Sequence, residues 1–281
     1  MKFYFVRNKN EFDALLQIEK HKIDAHSQYI NQKIPGTKRI FYVNGYSYVA
    51  KKQVDFLCDF MYCSGFPNVN WRERLVCPES GFNNRMRFSI HLIDSFLNLN
   101  SISNIYVMEQ VTPMYRFLCD SYTNCVGSEY LGNSVALGSV NNLNIRNEDA
   151  TALTFAEESF DAILSYDVFE HISNFNKAFE ECFRVLKKGG RLLFSVPFNS
   201  SSNKNIIRAT IGQSGEITHL LEPEYHGDPV GDGEGILCYQ HFAWEMLEDL
   251  KSLGFRDAFG ILGWSNEFCY FTPQLQFLAL K

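Results

Sequence analysis

The sequence predicts an α/β protein built on a mostly parallel sheet with helices on both faces. Two observations predict it. From about residue 71 onward, short apolar runs alternate with stretches of helical periodicity, the pattern of parallel strands joined by crossover helices. The runs themselves, such as 104-NIYVME-109 and 160-FDAILSYD-167, are nearly continuous in apolar residues, as strands buried on both faces are. At 281 residues, 46% of them hydrophobic and 21% charged, the chain is long enough to bury a full core as one large domain with appendages.

Taken in order, residues 10–33 place Phe12, Leu15, Leu16 and Ile18 at helical spacing and stop before Pro35-Gly36, which predicts a single N-terminal helix. Residues 39–57 are rich in Val and aromatics around Asn44-Gly45, the favoured two-residue hairpin turn. Together residues 1–70 form an N-terminal helix and hairpin appendage to a main domain, 71–281. Within that domain the segment 71–97 turns helical. Strands follow at 104–109, 124–130, 143–150, 160–167 and 190–198, with a helix at 112–122 that Pro113 opens and another at 176–188. Residues 199–240 break the rhythm with Ser, Asn, Gly and Pro, an insertion long enough to serve as a lid. A helix over 241–255, stopped by Gly254, then leads to the closing apolar strand 274–280.

The formal charge of −6 and the lack of a long basic run leave no electrostatic footprint for nucleic acid or an anionic membrane. No apolar run is long enough to span a bilayer, and the N-terminus becomes charged too early for a signal peptide, so a cytoplasmic protein is expected. Most of the eight cysteines fall inside apolar strand or helix patterns, where a reduced thiol packs as a small hydrophobe.

Ligands of open parallel sheets bind beyond the carboxyl ends of the strands, and here those ends carry Glu109, Glu129, Asp149 and Asp167. A carboxylate after the second strand suits ribose hydroxyls, and one after the third suits an adenine amino group. A single acid at a strand end often only caps the next helix; four in register favour a nucleoside site. A dinucleotide-dependent oxidoreductase would need G-x-G-x-x-G after the first strand, and the text there is 109-EQVTPMYRF-117.

The run 147-NEDATALTFAEESFDAILSYDVFEHISNFNKAFEECFRVLKKGGRLLFSVPF-198 resembles the core of class I S-adenosylmethionine-dependent methyltransferases of the small-molecule type: a D-A-T turn, an S-F-D strand opening, an E-H-I step and R-V-L-K-x-G-G before the next strand. The resemblance implies a Rossmann-like, seven-stranded sheet and S-adenosylmethionine as cofactor. It implies that Glu129, with Tyr130 beside it, meets the ribose, that Asp149 and Ala150 meet the adenine, and that Tyr166 and Asp167 line the methionine side. The family's glycine-rich first loop is absent; Glu109 aligns with its leading acid, and Gln110 and Thr112 offer side-chain hydrogen bonds where backbone usually serves. The segment 77-CPESGFNNRMR-87 resembles a Cys-rich element that precedes some of these domains, but Ser80 replaces a sulfur and Cys58 and Cys63 are widely spaced, so a zinc site there is read as lost.

A sulfonium donor gives up its methyl by in-line displacement, so the protein must align an acceptor and remove its proton. Asp167, Glu170 and His171 stand at the mouth of such a site. Three readings stay open: His171 as general base, the three residues as ligands of a divalent metal, or a Glu-His step that only caps and orients the turn. In the insertion, His219, Glu224, Tyr225, His226 and Asp228 lie where acceptor recognition is expected, with His226 the candidate catalytic group and Gly227-Asp228-Pro229 a candidate tight turn. The resulting expectation is methyl transfer to an oxygen or nitrogen of a small-molecule or sugar-like acceptor, without a resident metal. The competing expectation is an inactive, methyltransferase-like binding module.

Overall fold

The computed structural model describes residues 1–212, 214–227, 233 and 235–281. Asp228 and Pro229 of the expected tight turn lie outside the described residues. The chain opens with a strand, β1 (Phe3–Val6), followed by two helices, α1 (Lys9–Ile18) and α2 (Lys20–Asn31), where the sequence predicts one. Glu19 separates them; it is buried, and its carboxylate holds the Lys22 ammonium at 2.6 Å.

A hairpin of β2 (Phe41–Ser47) and β3 (Lys52–Cys58) comes next, and its turn is not Asn44-Gly45. Those two residues sit mid-strand, Asn44 facing Asp55 and Gly45 facing Val54. The glycine answers a packing demand: a Cβ at residue 45 would stand 2.2 Å from Cys269 Sγ. The chain reverses instead at 48–51, where Lys51 takes φ +54. The predicted helix over 71–97 begins only at α3 (Asn84–Phe96), which Asn83 caps by accepting from Met86 N–H.

The α/β alternation then proceeds through β4 (Asn104–Val107), α4 (Pro113–Ser121), β5 (Asn124–Gly127), β6 (Phe160–Tyr166), α5 (Phe175–Val185) and β7 (Leu186–Ser195). The insertion makes only short strands, β8 (Ile206–Ile207), β9 (Ala209–Ile211), β10 (Ile217–His219), β11 (Tyr225–His226), β12 (Ile236–Leu237) and β13 (Gln240–His241). They pair as the antiparallel ribbons β8–β13, β9–β10 and β11–β12. Helix α6 (Glu245–Ser252) and the long strands β14 (Asp257–Ser265) and β15 (Tyr270–Leu280) complete the chain.

Seven strands join in the order β1-β14-β15-β7-β6-β4-β5. β5, β4, β6 and β7 run parallel, while β15 meets β7 and β1 meets β14 antiparallel. The expected third strand over 143–150 is reduced to isolated bridges, Asn147 to Glu129 parallel and Arg146 to Val140 antiparallel. The segment before the bridge curls on itself: Asn141 Oδ1 accepts from both Leu143 and Ile145 N–H, and Asn144 takes φ +59.

By compactness the chain divides into two units, one of residues 1–6, 10–98 and 260–276, the other of 7–9, 99–259 and 277–281. The core of the first gathers Phe41, Val43, Phe56, Trp71, Leu75 and Phe271, with Cys58, Cys77 and Cys269 buried among them. Burial pushes the Cys58 thiol up to about 12, so it behaves as an apolar filler. The second unit holds the parallel strands and every candidate site residue. Its core includes Ile105, Val107, Ile163, Leu164, Leu192, Leu193, Phe179 and Phe194.

Candidate active site

At the carboxyl edge of the parallel strands, the loop after β4 lacks glycines but is held by a carboxylate. Glu129 Oε1 accepts from the backbone N–H of Gln110 at 2.6 Å and of Val111 at 3.0 Å. The Gln110 side chain is committed to structure at both ends: its Nε2 donates to the Asn144 carbonyl (2.8 Å) and its Oε1 accepts from Arg146 N–H (2.8 Å). Thr112 caps α4 by accepting from Tyr115 N–H at 3.1 Å, with Pro113 in the first turn. The loop approaches β5 so closely that a Cβ at Gly127 would stand 2.4 Å from the Tyr115 ring and 2.9 Å from the Glu109 carbonyl.

Beside this loop, Asp149 Oδ1 accepts from Thr151 N–H (2.8 Å) and Oγ1 (2.7 Å), a local turn that leaves residues 149–151 half-buried. Tyr130 is exposed and Tyr166 is buried. Asp167 leaves β6 in the left-handed region, at φ +57, and its Oδ1 accepts from Ser195 Oγ at 2.8 Å. So Glu129, Glu109, Gln110 and Thr112 gather around one loop, and Asp167 closes the neighbouring strand end.

Sequence reading passes over Asn147, which organises the same edge. Fully buried, it accepts from Leu131 N–H at 2.7 Å and donates to the carbonyls of Gly132 (3.1 Å) and Val135 (2.5 Å). Its neighbour Glu148, also buried, takes the Arg146 guanidinium at 2.7 Å and the Thr154 hydroxyl at 2.6 Å. The only signal available in the sequence was their position next to Asp149.

The second group of candidate side chains starts at the turn after β6. Phe169 is buried against Phe179 (ring centroids 4.7 Å) and Phe194 (5.6 Å), which pins the turn and draws the next residue, Glu170, fully into the interior. Neither Glu170 carboxylate oxygen accepts a hydrogen bond. Two imidazoles face it instead: His226 Nδ1 lies 3.5 Å and His171 Nε2 3.8 Å from Oε1. The two rings meet edge to face at 4.9 Å.

Each histidine is fixed from its far side. His171 Nδ1 is 2.9 Å from the Leu237 carbonyl, and His226 Nε2 is 3.1 Å from Glu224 Oε1. Glu224 also receives His241 Nε2 at 3.1 Å and Arg208 at 3.2 Å. Burial works against the Glu224 carboxylate, but the hydrogen bonds from His226 and His241 prevail and hold it below its ordinary value. The Glu170 carboxylate, aided by Glu224 and opposed by burial, raises His226 to about 9. The return of the insertion is bolted to the same turn, through Tyr239 N–H to the Glu170 carbonyl (2.7 Å) and Gln240 Nε2 to the Phe169 carbonyl (2.7 Å). His171 and His226 are therefore brought together; His219 lies exposed on β10 and appears in none of these contacts.

An open α/β sheet with acids along its carboxyl edge, one of them gripping the first loop, is the doubly wound arrangement, in which ligands bind beyond the carboxyl ends of the strands. Residues 112–194 match the family described as a methyltransferase domain. Among its relatives, the chain is 32% identical over 116 residues to malonyl-[acyl-carrier protein] O-methyltransferase 1 of Coxiella burnetii, covering 38% of this chain and 41% of that one. It is 41% identical over 75 residues to a ubiquinone/menaquinone biosynthesis C-methyltransferase of Pasteurella multocida, covering 26% and 27%. The chain thus spans less than half the length of these relatives. A solved S-adenosylmethionine-dependent methyltransferase from Mesorhizobium loti is similar at 16% identity, with TM-score 0.42 over 68% of this chain and 96% of that one. Among the described residues no helix is long and apolar enough to cross a membrane.

Proposed function

We propose that the protein transfers a methyl group from S-adenosylmethionine to an oxygen or nitrogen of a small-molecule acceptor. The observation that carries this reading is the grip of Glu129 on the amides of Gln110 and Val111. In a family whose first loop is shaped by glycines, a side-chain carboxylate here fixes the backbone and stands where ribose hydroxyls are received. Asp149, with Ala150, faces the adenine, and Tyr166 and Asp167 flank the methionine portion. Glu109, Thr112 and Tyr130 complete the rim, while Gln110 holds the loop to the 144–146 backbone.

The chemistry is a single displacement. The acceptor heteroatom forms its bond to the methyl carbon as the sulfur–methyl bond breaks, the electron pair staying on sulfur; the acceptor's proton leaves toward the protein or solvent. The cluster of Glu170, His171 and His226 provides the polar, partly buried surroundings in which that proton is lost. By their names, the relatives above are an O-methyltransferase of malonyl-[acyl-carrier protein] and a C-methyltransferase of ubiquinone/menaquinone biosynthesis; an oxygen or nitrogen acceptor is favoured here because the second imidazole and the Glu224 network come from the insertion and leave a hydrogen-bonding wall.

Calorimetric titration with S-adenosylhomocysteine, followed by a labelled-methyl transfer screen over hydroxyl, amine and carboxylate acceptors, tests the proposal. Micromolar binding with turnover on one of these classes supports it. Silence at millimolar ligand in folded protein identifies a non-catalytic member of the family instead.

A further inference from the structure

We propose that Glu170, His171 and His226 bind a divalent metal ion of the zinc class, which ties the insertion to the turn after β6 and presents an open coordination position to the acceptor. The three residues each offer one ligand atom, and these atoms lie within 4.8 Å of one another. Two atoms sharing a zinc ion at bond lengths of about 2.1 Å stand roughly 3.4 Å apart. The observed separations of 3.5 and 3.8 Å from Glu170 Oε1 need only a small contraction.

Three independent features point to a cation. First, Glu170 is completely buried and neither oxygen accepts a hydrogen bond, a costly arrangement for a carboxylate unless a positive charge completes it. Second, the rings are oriented. The Leu237 carbonyl can only accept, so His171 Nδ1 carries hydrogen and Nε2 turns its lone pair toward Glu170. The Glu224 carboxylate holds His226 by Nε2, so Nδ1 is the nitrogen that faces Glu170. Third, a backbone carbonyl behind one imidazole and a carboxylate behind the other are the supports that orient metal-bound histidines and raise their basicity.

The ligand set differs from the one a D-x-x-E-H pattern suggests. Asp167 is turned aside to accept from Ser195 Oγ, and the third ligand comes from β11, 55 residues beyond His171. Glu224, Cys238 and His241 form a second group of potential ligands close by. There Arg208 already supplies a positive charge to Glu224, and the Cys238 thiol, which burial pushes up to about 12, donates to the Gln240 carbonyl. That group is read as support for the first.

Two imidazoles and one carboxylate leave at least one position open, as catalytic zinc sites do. An acceptor hydroxyl or amine bound there loses its proton more readily, and the proton passes to solvent. This role rests on the methyltransferase reading above; the metal site does not.

The test uses the full chain freed of metal by chelation and dialysis, with zinc added against a chromophoric competitor and cobalt as a spectroscopic probe. Expected are one zinc per chain and a cobalt spectrum without a sulfur-to-metal charge-transfer band. Glu170→Gln and His226→Ala should each weaken zinc binding at least a hundredfold, and Glu224→Gln about tenfold. His226 is on a half-buried ribbon, so His226→Ala keeps the test valid should Glu170→Gln fold poorly. Zinc binding that survives both substitutions in folded protein overturns the proposal, as does a folded wild-type chain that takes up no zinc at micromolar concentration, and so does a cobalt spectrum dominated by thiolate. S-Adenosylhomocysteine titrated in parallel separates the two ideas: zinc uptake without nucleoside binding removes the enzyme and leaves the metal site.

Discussion

Replacing Glu129 with alanine removes one acceptor from two backbone amides at once. Hydrogen bonds to a charged acceptor contribute about 1.5–3 kcal/mol each. Glu129 is only half-buried, so the low end applies, and the pair at 2.6 and 3.0 Å holds the 109–112 loop by about 3 kcal/mol. If the loop must be ordered for the adenosyl group to bind, that energy is charged against affinity, and about 3 kcal/mol is roughly a hundredfold in Kd. Glu129→Gln keeps an oxygen acceptor and loses the charge, so a smaller loss, about tenfold, is expected. Calorimetric titration with S-adenosylhomocysteine on wild type and both variants reads the effect, with thermal unfolding monitored to confirm that the core is intact. A Glu129→Ala protein that binds within threefold of wild type would show that the loop does not depend on this carboxylate and that the ribose sits elsewhere.

Gly127→Ala forces a Cβ to within 2.4 Å of the Tyr115 ring, and overpacking of this kind costs about 1–3 kcal/mol; chemical denaturation should find the loss together with weakened nucleoside binding, and an unchanged midpoint counts against the tight loop. Asn147→Ala strands one amide and two carbonyls that it now satisfies, an expected destabilisation of about 3 kcal/mol, with faster hydrogen exchange at Leu131 N–H as the local sign. Burial, with the nearby N-terminus and Lys51 adding to it, lowers His91 from 6.5 to about 4, so below pH 6.5 the unfolded chain takes a proton that the folded chain refuses and stability falls until about pH 4. At ~1.4 kcal/mol per pKa unit the ceiling is roughly 3 kcal/mol, and denaturation midpoints of a His91→Phe protein should fall less steeply over that window than those of wild type.

The architecture of the parallel strands was legible because it is written locally. Continuous apolar runs at 104–107 and 160–166 and Pro113 at a helix start each report their own conformation, and the structure follows them, whereas the glycine pair read as closing a helix before a strand lies inside β7. Local rules failed where a distant residue decided the outcome. Asn44-Gly45 has the composition of a hairpin turn, yet the glycine is required by Cys269, more than two hundred residues away in sequence. The periodic stretch 10–33 looks like one helix, and it is broken at Glu19, a residue whose burial against Lys22 no spacing reveals. The third strand was lost because Gln110 takes the Arg146 amide that a ladder would have used.

The site divides along the same line. Acids at strand ends can be read from the sequence because each follows its own strand, but what each acid does depends on its neighbours. Glu129 spends one oxygen on amides of the preceding loop, Asp149 folds onto Thr151, and Asp167 accepts from Ser195 on the adjacent strand. Glu170 and His171 were recognisable as unusual for a buried turn; the partner that gives them meaning, His226, arrives by way of an insertion without regular pattern. Its placement follows from anchors at Tyr239 and Gln240, which bind the carbonyls of Glu170 and Phe169 and so bring the insertion's ribbons back to the turn. Cutting those anchors should therefore separate the two histidines without touching either ring. In metal-free protein, Gln240→Ala is expected to lose the raised His226 titration near 9, which follows from its closeness to Glu170, and NMR titration of the His226 ring would show it returning toward 6.5. A ring that still titrates near 9 in that variant would mean that the Tyr239 amide on the Glu170 carbonyl, and not Gln240 on the carbonyls of Phe169 and Ile172, holds the insertion to the turn.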